Sequence, residues 1–336
     1  MKNGKESLDP EPLMQMGWSF APSRVLATAV QLGLFSLIEA GHKTASTLVR
    51  ETGASGRGLG SLLDALCALG LLSRSGESYA LQPLSERFLV KKSPDYIGAM
   101  WEKDWLWEAW GGLTETVRTG QPRVRVEVEE EAGKFFPVLV RTLHVINRAP
   151  ADRAARALGI GEGDPGLRIL DVACGSGVWG IAIAQADRRA RVTAQDFPAL
   201  LAVTREYLER HGVQNQYDFL PGDLRRVDFG EEHYDLAILG NIVHSEGERA
   251  SRELFGRLHR ALRREGRLAI IDMIPNADRT GPPYPVLFAL NMLVNTLEGG
   301  TYTLAEYERW LTGAGFARVE TADIGSHSPM IVAHKS

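Results

Sequence analysis

Cysteine is nearly absent from this chain. Its two thiols, Cys67 and Cys174, stand 107 positions apart (174 − 67) among 336 residues. A disulfide scaffold is thereby excluded, neither thiol has zinc-ligand spacing, and two isolated thiols suit a reducing cytoplasm. Long apolar runs are missing too: nothing approaches the roughly 18 unbroken apolar residues of a membrane helix. The opening MKNGKESLDPEP is polar and has no apolar core, so no signal peptide is expected. Positive charge is not in excess. With 38 Lys and Arg against 42 Asp and Glu, net −4, a basic nucleic-acid surface is not the main business of the chain. No His/Asp/Glu cluster has ligand spacing, so no metal is expected, and there are neither repeats nor low-complexity tracts. What remains is an ordinary apolar content of 44% and length enough for two domains. The expectation is a cytoplasmic α/β protein with no membrane or nucleic-acid partner.

The two halves are patterned differently. Trp18 to Ala40 carries apolar residues at helical spacing (Val25, Ala29, Leu32, Leu37), with Gly33 as its one soft spot. Thr44 is placed to cap a short helix that Gly53 stops, and Ser55 opens LGSLLDALCALGLL as a second helix. SRSGESYALQP reads as two short strands around a turn at Ser75-Gly76. Helix, turn, helix and hairpin make a winged-helix layout. DNA binding is not expected of it, because Arg57 is the sole cation of the recognition position, Asp64 cancels it, and phosphate contact needs several. In WEKDWLWEAW, Trp101, Trp105 and Trp110 fall near helical spacing, as packing residues or as the wall of an aromatic pocket. GQPRVRVEVEEEAGK reads as a charged loop before the helix FFPVLVRTLHVINRAPADRAARAL. On that helix His144 and Asn147 are candidates to face a ligand, with packing the expected role.

From Leu167 the pattern alternates. LRILDVA, RVTAQDF, YDFLPGD, YDLAILGN and GRLAIIDM are short apolar runs separated by helical segments, the signature of a doubly wound parallel sheet. FARVETADI and SPMIVAHK, joined tightly through Gly325, make the last two strands of seven antiparallel to each other. LDVACGSGVWG contains G-x-G-x-x-G at Gly175, Gly177 and Gly180, the written form of a dinucleotide loop. Three acids argue for another ligand. Asp171 sits just before the glycines, where a pyrophosphate would be repelled. Asp196, 19 residues past Gly177 (196 − 177), suits ribose hydroxyls in either class, and Asp223 ends the next strand. A cation with a ribose and an adenine fits three acids, and S-adenosylmethionine has all of these groups.

LDVACGSGVWG, the QDFP at 195–198, GD at 222–223, GNIVHSEG, and LNMLVNTLEGGTYTLAEYERWLTGAGF together resemble the small-molecule O-methyltransferases with an N-terminal winged-helix dimerisation domain. These are the relatives of plant caffeic acid and acetylserotonin methyltransferases and of bacterial antibiotic-tailoring enzymes. The resemblance runs from about residue 14 to the end. It implies a Rossmann-like, seven-stranded class I methyltransferase sheet with an antiparallel last strand. It also implies a winged-helix dimerisation domain over 14–95, a helical linker contributing to the substrate pocket over 96–160, and the cofactor-binding domain over 161–336. A homodimer follows from the same likeness. Asp171, Gly175 and Gly177 would surround the methionine part of S-adenosylmethionine, with S-adenosylhomocysteine as product. Asp196 would take the ribose hydroxyls, Phe197 the adenine face, and Asp223 with Leu224 the adenine amine; Asn241 would lie beside the cofactor. Ala173 stands where the family has glycine, a change of little expected cost because alanine is small. Gly240 stands where plant members have lysine, removing one polar contact.

The resemblance makes His244 the base that takes the acceptor's proton and Asp272, 28 residues on (272 − 244), its acidic partner. The chemistry is reasonable, since a phenol of pKa about 10 is a poor nucleophile at neutral pH and an imidazole can accept its proton. A second family acid is replaced by Tyr302, with Glu298 displaced. Phe288, Asn291, Met292 and Asn295 recur on one face of PVLFALNMLVN and are the expected acceptor lining. The acceptor itself is expected to be flat and partly apolar, a phenol or polyketide. Methylation of carbon or nitrogen on the same fold, a cofactor-sensing regulator and an NAD oxidoreductase are the alternatives, in that order.

Overall fold

The computed structural model describes residues 8–122, 129–162, 166–327 and 329–336. The chain forms two compact units, one ending at Asp104 and the other beginning at Trp105. In the first unit the helix expected over Trp18–Ala40 is not continuous. It is α1 (Glu11–Trp18), α2 (Phe20–Gln31) and α3 (Leu34–Glu39), broken at Ser19 and again at Gly33, whose φ of 68° is left-handed. α4 (Ala45–Thr52) begins as its sequence implies: the Thr47 N–H donates to Thr44 Oγ1 and the Thr44 N–H donates to Thr47 Oγ1, a reciprocal cap. Ser55 caps α5 (Gly56–Ala68) through the Gly58 N–H. β1 (Leu72–Ser75) and β2 (Ser78–Leu81) pair antiparallel with Ser75 opposite Ser78, so the turn is Gly76-Glu77, one residue later than expected. α6 (Pro83–Leu89) follows. Leu34, Phe35, Ile38, Leu48, Leu59, Leu63 and Leu66 close this core. Asp64 pairs with Arg74 at 3.5 Å rather than with Arg57.

The tryptophans expected on one helical face belong to different elements. Trp101 ends a 3-10 turn (Gly98–Trp101) of the first unit. Trp105 and Trp110 lie on α7 (Trp105–Gly111) of the second unit, which continues into α8 (Leu113–Thr119). Residues 123–128 of the expected charged loop lie outside the described residues, and from Glu129 that stretch is already helix. α9 (Glu129–Ala157) runs through two prolines, Pro137 and Pro150.

The seven-stranded sheet comprises β3 (Arg168–Val172), β4 (Arg191–Asp196), β5 (Tyr217–Pro221), β6 (Tyr234–Gly240), β7 (Leu262–Ile271), β8 (Arg318–Ala322) and β9 (Met330–His334). Ser328, the first residue of the expected last strand, lies outside the described residues. The strand order is β5-β4-β3-β6-β7-β9-β8, with β9 antiparallel to both of its neighbours and the other pairs parallel. Between the strands run α10 (Val178–Ala186), α11 (Pro198–His211), α12 (Val243–Ala261), α13 (Pro283–Asn295) and α14 (Leu304–Gly313). Successive strand residues point to opposite faces. On β3, Ile169 packs with the layer of α9, α10 and α11, while Leu170 packs with that of α12 and α14. Both faces are covered, which is why these strands read as unbroken apolar runs. Among the described residues no helix is long and apolar enough to cross a membrane.

Thr44→Ala deletes the Oγ1 that accepts from the Thr47 N–H and leaves the backbone half of the α4 cap, a loss of about 1 kcal/mol. Hydrogen exchange at the first amides of α4 is therefore expected to accelerate about fivefold, with α12 unaffected; unchanged exchange in α4 would contradict the capping account.

Candidate active site

The carboxyl ends of β3, β4 and β6 converge on the glycine loop. Its backbone is left-handed at Ala173 (φ 50°), Gly175 (φ 56°) and Gly177 (φ 75°). Alanine at 173 is thus costly for a reason other than size, since a Cβ in this region is disfavoured by roughly 1–2 kcal/mol. Asp171 is fully buried beneath the loop. The Gly180 N–H donates to its Oδ2 at 3.1 Å, whereas Oδ1 receives no hydrogen bond from the described residues. A Cβ at Gly180 would lie 2.8 Å from Asp171 Oδ2, so that position admits glycine alone. Asp196, the last residue of β4, accepts from the Gly175 N–H at 2.8 Å and the Phe197 N–H at 2.7 Å. Burial pushes Asp171 up to about 7; the Gly180 N–H opposes the rise in part and the charge of Asp196 adds to it. Burial likewise lifts Asp196 to about 6 against its two backbone donors.

A cavity with about 1040 Å³ of space, its open mouth included, lies above this loop. Of the residues predicted to contact the cofactor, Gly175, Asp196, Phe197, Asp223, Leu224 and Asn241 line it. Asp171 and Gly177 stand behind the wall, the first holding Gly180 and the second beginning α10. The opposite wall comes from α9, through Phe136, Leu139, Val140, Leu143 and Asn147. Of these, Asn147 is the residue the sequence offers as a candidate to face a ligand, and the α9 wall falls within the 96–160 linker expected to contribute to a pocket. His144 faces away from the cavity: its Nδ1 lies 3.1 Å from Ser176 Oγ, its Nε2 3.2 Å from His211 Nε2, and its ring stacks on Tyr207. Two further lining features were missed. The Trp179 indole edge fills the space a side chain at Gly240 would occupy, so glycine there matches a tryptophan 61 positions earlier (240 − 179). Glu246, a buried carboxylate, pairs with Arg225 Nε at 2.8 Å on the cavity rim.

His244 lies in the first turn of α12, one residue before Ser245 and two before Glu246, which both line the cavity. Its Nδ1 is 2.5 Å from Asp272 Oδ1, and its backbone N–H donates to Asp272 Oδ2 at 2.9 Å. A carboxylate at Nδ1 holds the ring proton there and leaves Nε2 as an acceptor. The Phe288 ring meets the imidazole edge-on, centroids 5.0 Å apart. None of the four predicted acceptor residues, Phe288 included, is on the cavity wall. Asn291 Oδ1 accepts from Trp110 Nε1 at 3.1 Å, Asn295 Nδ2 donates to the Asn291 carbonyl at 2.8 Å, and Met292 is buried. Tyr302 packs against Trp310, and burial with the Asp272 charge pushes its phenol up to about 12.

The donor set discriminates between ligands. The Gly175 and Gly180 N–H groups, which would cradle a pyrophosphate, are already taken by carboxylates. Among the described residues no lysine or arginine contributes to the charge environment of Asp171 or Asp196. Two buried acids, one with an unpartnered oxygen, fit a cationic ligand and disfavour a phosphate.

The O-methyltransferase domain model matches residues 164–317, and the O-methyltransferase dimerisation domain model matches 14–91. The tetracenomycin polyketide synthesis 8-O-methyl transferase TcmO of Streptomyces glaucescens is 30% identical over 97% of both chains. The 3-hydroxy-5-methyl-1-naphthoate 3-O-methyltransferase of Streptomyces sahachiroi is 28% identical over 94% of this chain and 92% of its own. Human N-acetylserotonin methyltransferase, solved in complex with S-adenosylmethionine, superposes with a TM-score of 0.84 at 24% identity over 100% of both chains, a likeness of fold. The chain belongs to the S-adenosylmethionine-dependent O-methyltransferases that carry this dimerisation domain.

The raised carboxylates link stability to pH. In the folded protein without cofactor, Asp171 and Asp196 hold protons that the unfolded chain releases near its ordinary carboxylate pKa. Stability from this pair therefore falls as pH rises from about 4 to about 7. A bound cation favours the ionised forms and reverses the effect. S-adenosylmethionine is expected to raise the melting temperature more at pH 8 than at pH 6, as thermal denaturation would show; an equal rise at both would contradict the charge assignment.

Proposed function

We propose that this O-methyltransferase methylates a hydroxyl of a small aromatic or polyketide-like molecule, with His244 as general base and Asp272 as its orienting partner. The observation that carries the reading is the 2.5 Å approach of Asp272 to His244 Nδ1, which leaves Nε2 free, beside the cavity rim at Ser245. Asp196 would hold the ribose hydroxyls, Phe197 the adenine, Asp223 and Leu224 its amine, and Asn241 with the Gly175 loop the methionine part. Asp171, one layer deeper, would supply negative charge and hold Gly180. Bound S-adenosylmethionine supplies a methyl group already activated by its sulfonium. The chain's own residues then have two tasks, to place the acceptor oxygen and to receive its proton. His244 Nε2 takes the proton as the oxygen attacks, and the Asp272 carboxylate stabilises the imidazolium that results. Positioning supplies most of the remaining acceleration.

An aromatic or polyketide acceptor is supported by the apolar face of α9 at Phe136, Leu139 and Leu143, and by Trp179 opposite. Two relatives, a polyketide-synthesis and a naphthoate methyltransferase, point the same way. A homodimer through residues 14–91 is supported by the dimerisation-domain match and by exposed Leu13, Met16, Trp18 and Phe20 on α1 and α2.

His244→Ala is expected to lower turnover about 10²–10⁴-fold, with S-adenosylhomocysteine affinity retained in calorimetric titration. Turnover within tenfold of the parent would remove the base assignment. Light scattering is expected to report twice the 36.9 kDa chain mass, and a monomer would contradict the dimer.

A further inference from the structure

Asp272 is more heavily restrained than a simple ion-pair partner. Its Oδ1 accepts from His244 Nδ1 and from the Met273 N–H at 2.7 Å; its Oδ2 accepts from the His244 N–H and from the Tyr307 hydroxyl at 3.1 Å. Among the described residues Tyr307 is the one side chain besides His244 bonded to this carboxylate. Neither Tyr302 nor Glu298, the residues near the expected second acid, has a hydrogen bond to the pair. An aspartate carboxylate rotates in a broad, roughly two-fold torsional well, so two donors per oxygen are what hold it in one plane.

We propose that the Tyr307 hydroxyl is a positioning group of the methyl transfer, holding Asp272 in the orientation that presents one oxygen to His244 Nδ1. The proposal rests on His244 acting as base. Tyr307 is fully buried on α14, among Phe255, Tyr302 and Trp310 with ring centroids 5.9–6.3 Å away. Its ring fills the core, and its hydroxyl is separately directed at Asp272. Burial, with the adjacent Asp272 charge, drives the phenol far above its ordinary range, so it stays protonated and serves as donor. A neutral donor also has the opposite electrostatic effect from a second acid. It draws charge from the Asp272 carboxylate and moderates how strongly that carboxylate holds the imidazolium. The tyrosine thus supplies orientation without adding a second negative charge beside the base.

Tyr307→Phe keeps the ring and deletes the hydroxyl, and is compared with His244→Ala. The variant is expected to lose about tenfold in kcat, while KM for the acceptor and S-adenosylhomocysteine affinity stay within about twofold. The acidic limb of its kcat/KM profile moves to higher pH, because a carboxylate with one donor fewer holds the imidazolium more tightly. An inactive His244→Ala alongside an unchanged Tyr307→Phe, in rate and in limb position, would overturn this proposal alone. A Tyr307→Phe that loses cofactor affinity and melting temperature together with kcat would make the residue structural and overturn it too. A fully active His244→Ala would remove the base assignment and this proposal with it.

Discussion

Two buried carboxylates, with no cation beside them among the described residues, organise the glycine loop. Asp171 and Asp196 each clamp one N–H of the glycine loop, at Gly180 and Gly175. The loop's left-handed turns at Ala173, Gly175 and Gly177 are held between those clamps. Burying unpaired charge costs several kcal/mol per group, and burial accordingly raises the proton affinity of both acids. A cationic ligand offsets the remainder. The strain, the charge and the choice of methyl donor over dinucleotide are therefore consequences of one arrangement.

Sheet topology brings the chemistry to that charge. The strand order turns at β3, with β4 on one side and β6 on the other, so their carboxyl ends open a crevice there. Parallel pairing of β6 with β7 places Gly240 opposite Ile271. Asn241 and His244 follow the first strand and Asp272 follows the second, which is why residues 28 apart in sequence meet at 2.5 Å. His244, the proposed base, thus comes from the same carboxyl end of the sheet as Asp196 and Asn241, with Ser245 and Glu246 on the cavity wall.

Local patterns were legible in the sequence. Thr44 and Ser55 announced helix starts because an N-cap is decided within four residues, and the alternation after Leu167 announced a sheet covered on both faces. The glycine loop and its acids were legible for the same reason. What escaped the sequence depends on contacts between distant segments. The size of Ala173 implies little cost, whereas its left-handed φ sets one. Gly240 was read as a missing lysine, whereas the Trp179 indole occupies its space. The 96–160 linker is expected to contribute to the pocket, but which residues do so is not legible: the wall is α9, whereas the apolar stripe of α13 does not reach it. Tyr307 carries no local signal at all, since its hydroxyl matters only through an aspartate 35 residues away.

Calorimetric titration with S-adenosylhomocysteine, with NADH in parallel and with Asp196→Ala alongside the parent chain, tests the central claim most directly. The account predicts micromolar binding of S-adenosylhomocysteine, clear weakening in the variant, and no binding of NADH, whose pyrophosphate would meet Asp196 with Asp171 buried behind it. NADH binding of similar strength, or no response to S-adenosylhomocysteine, would contradict it.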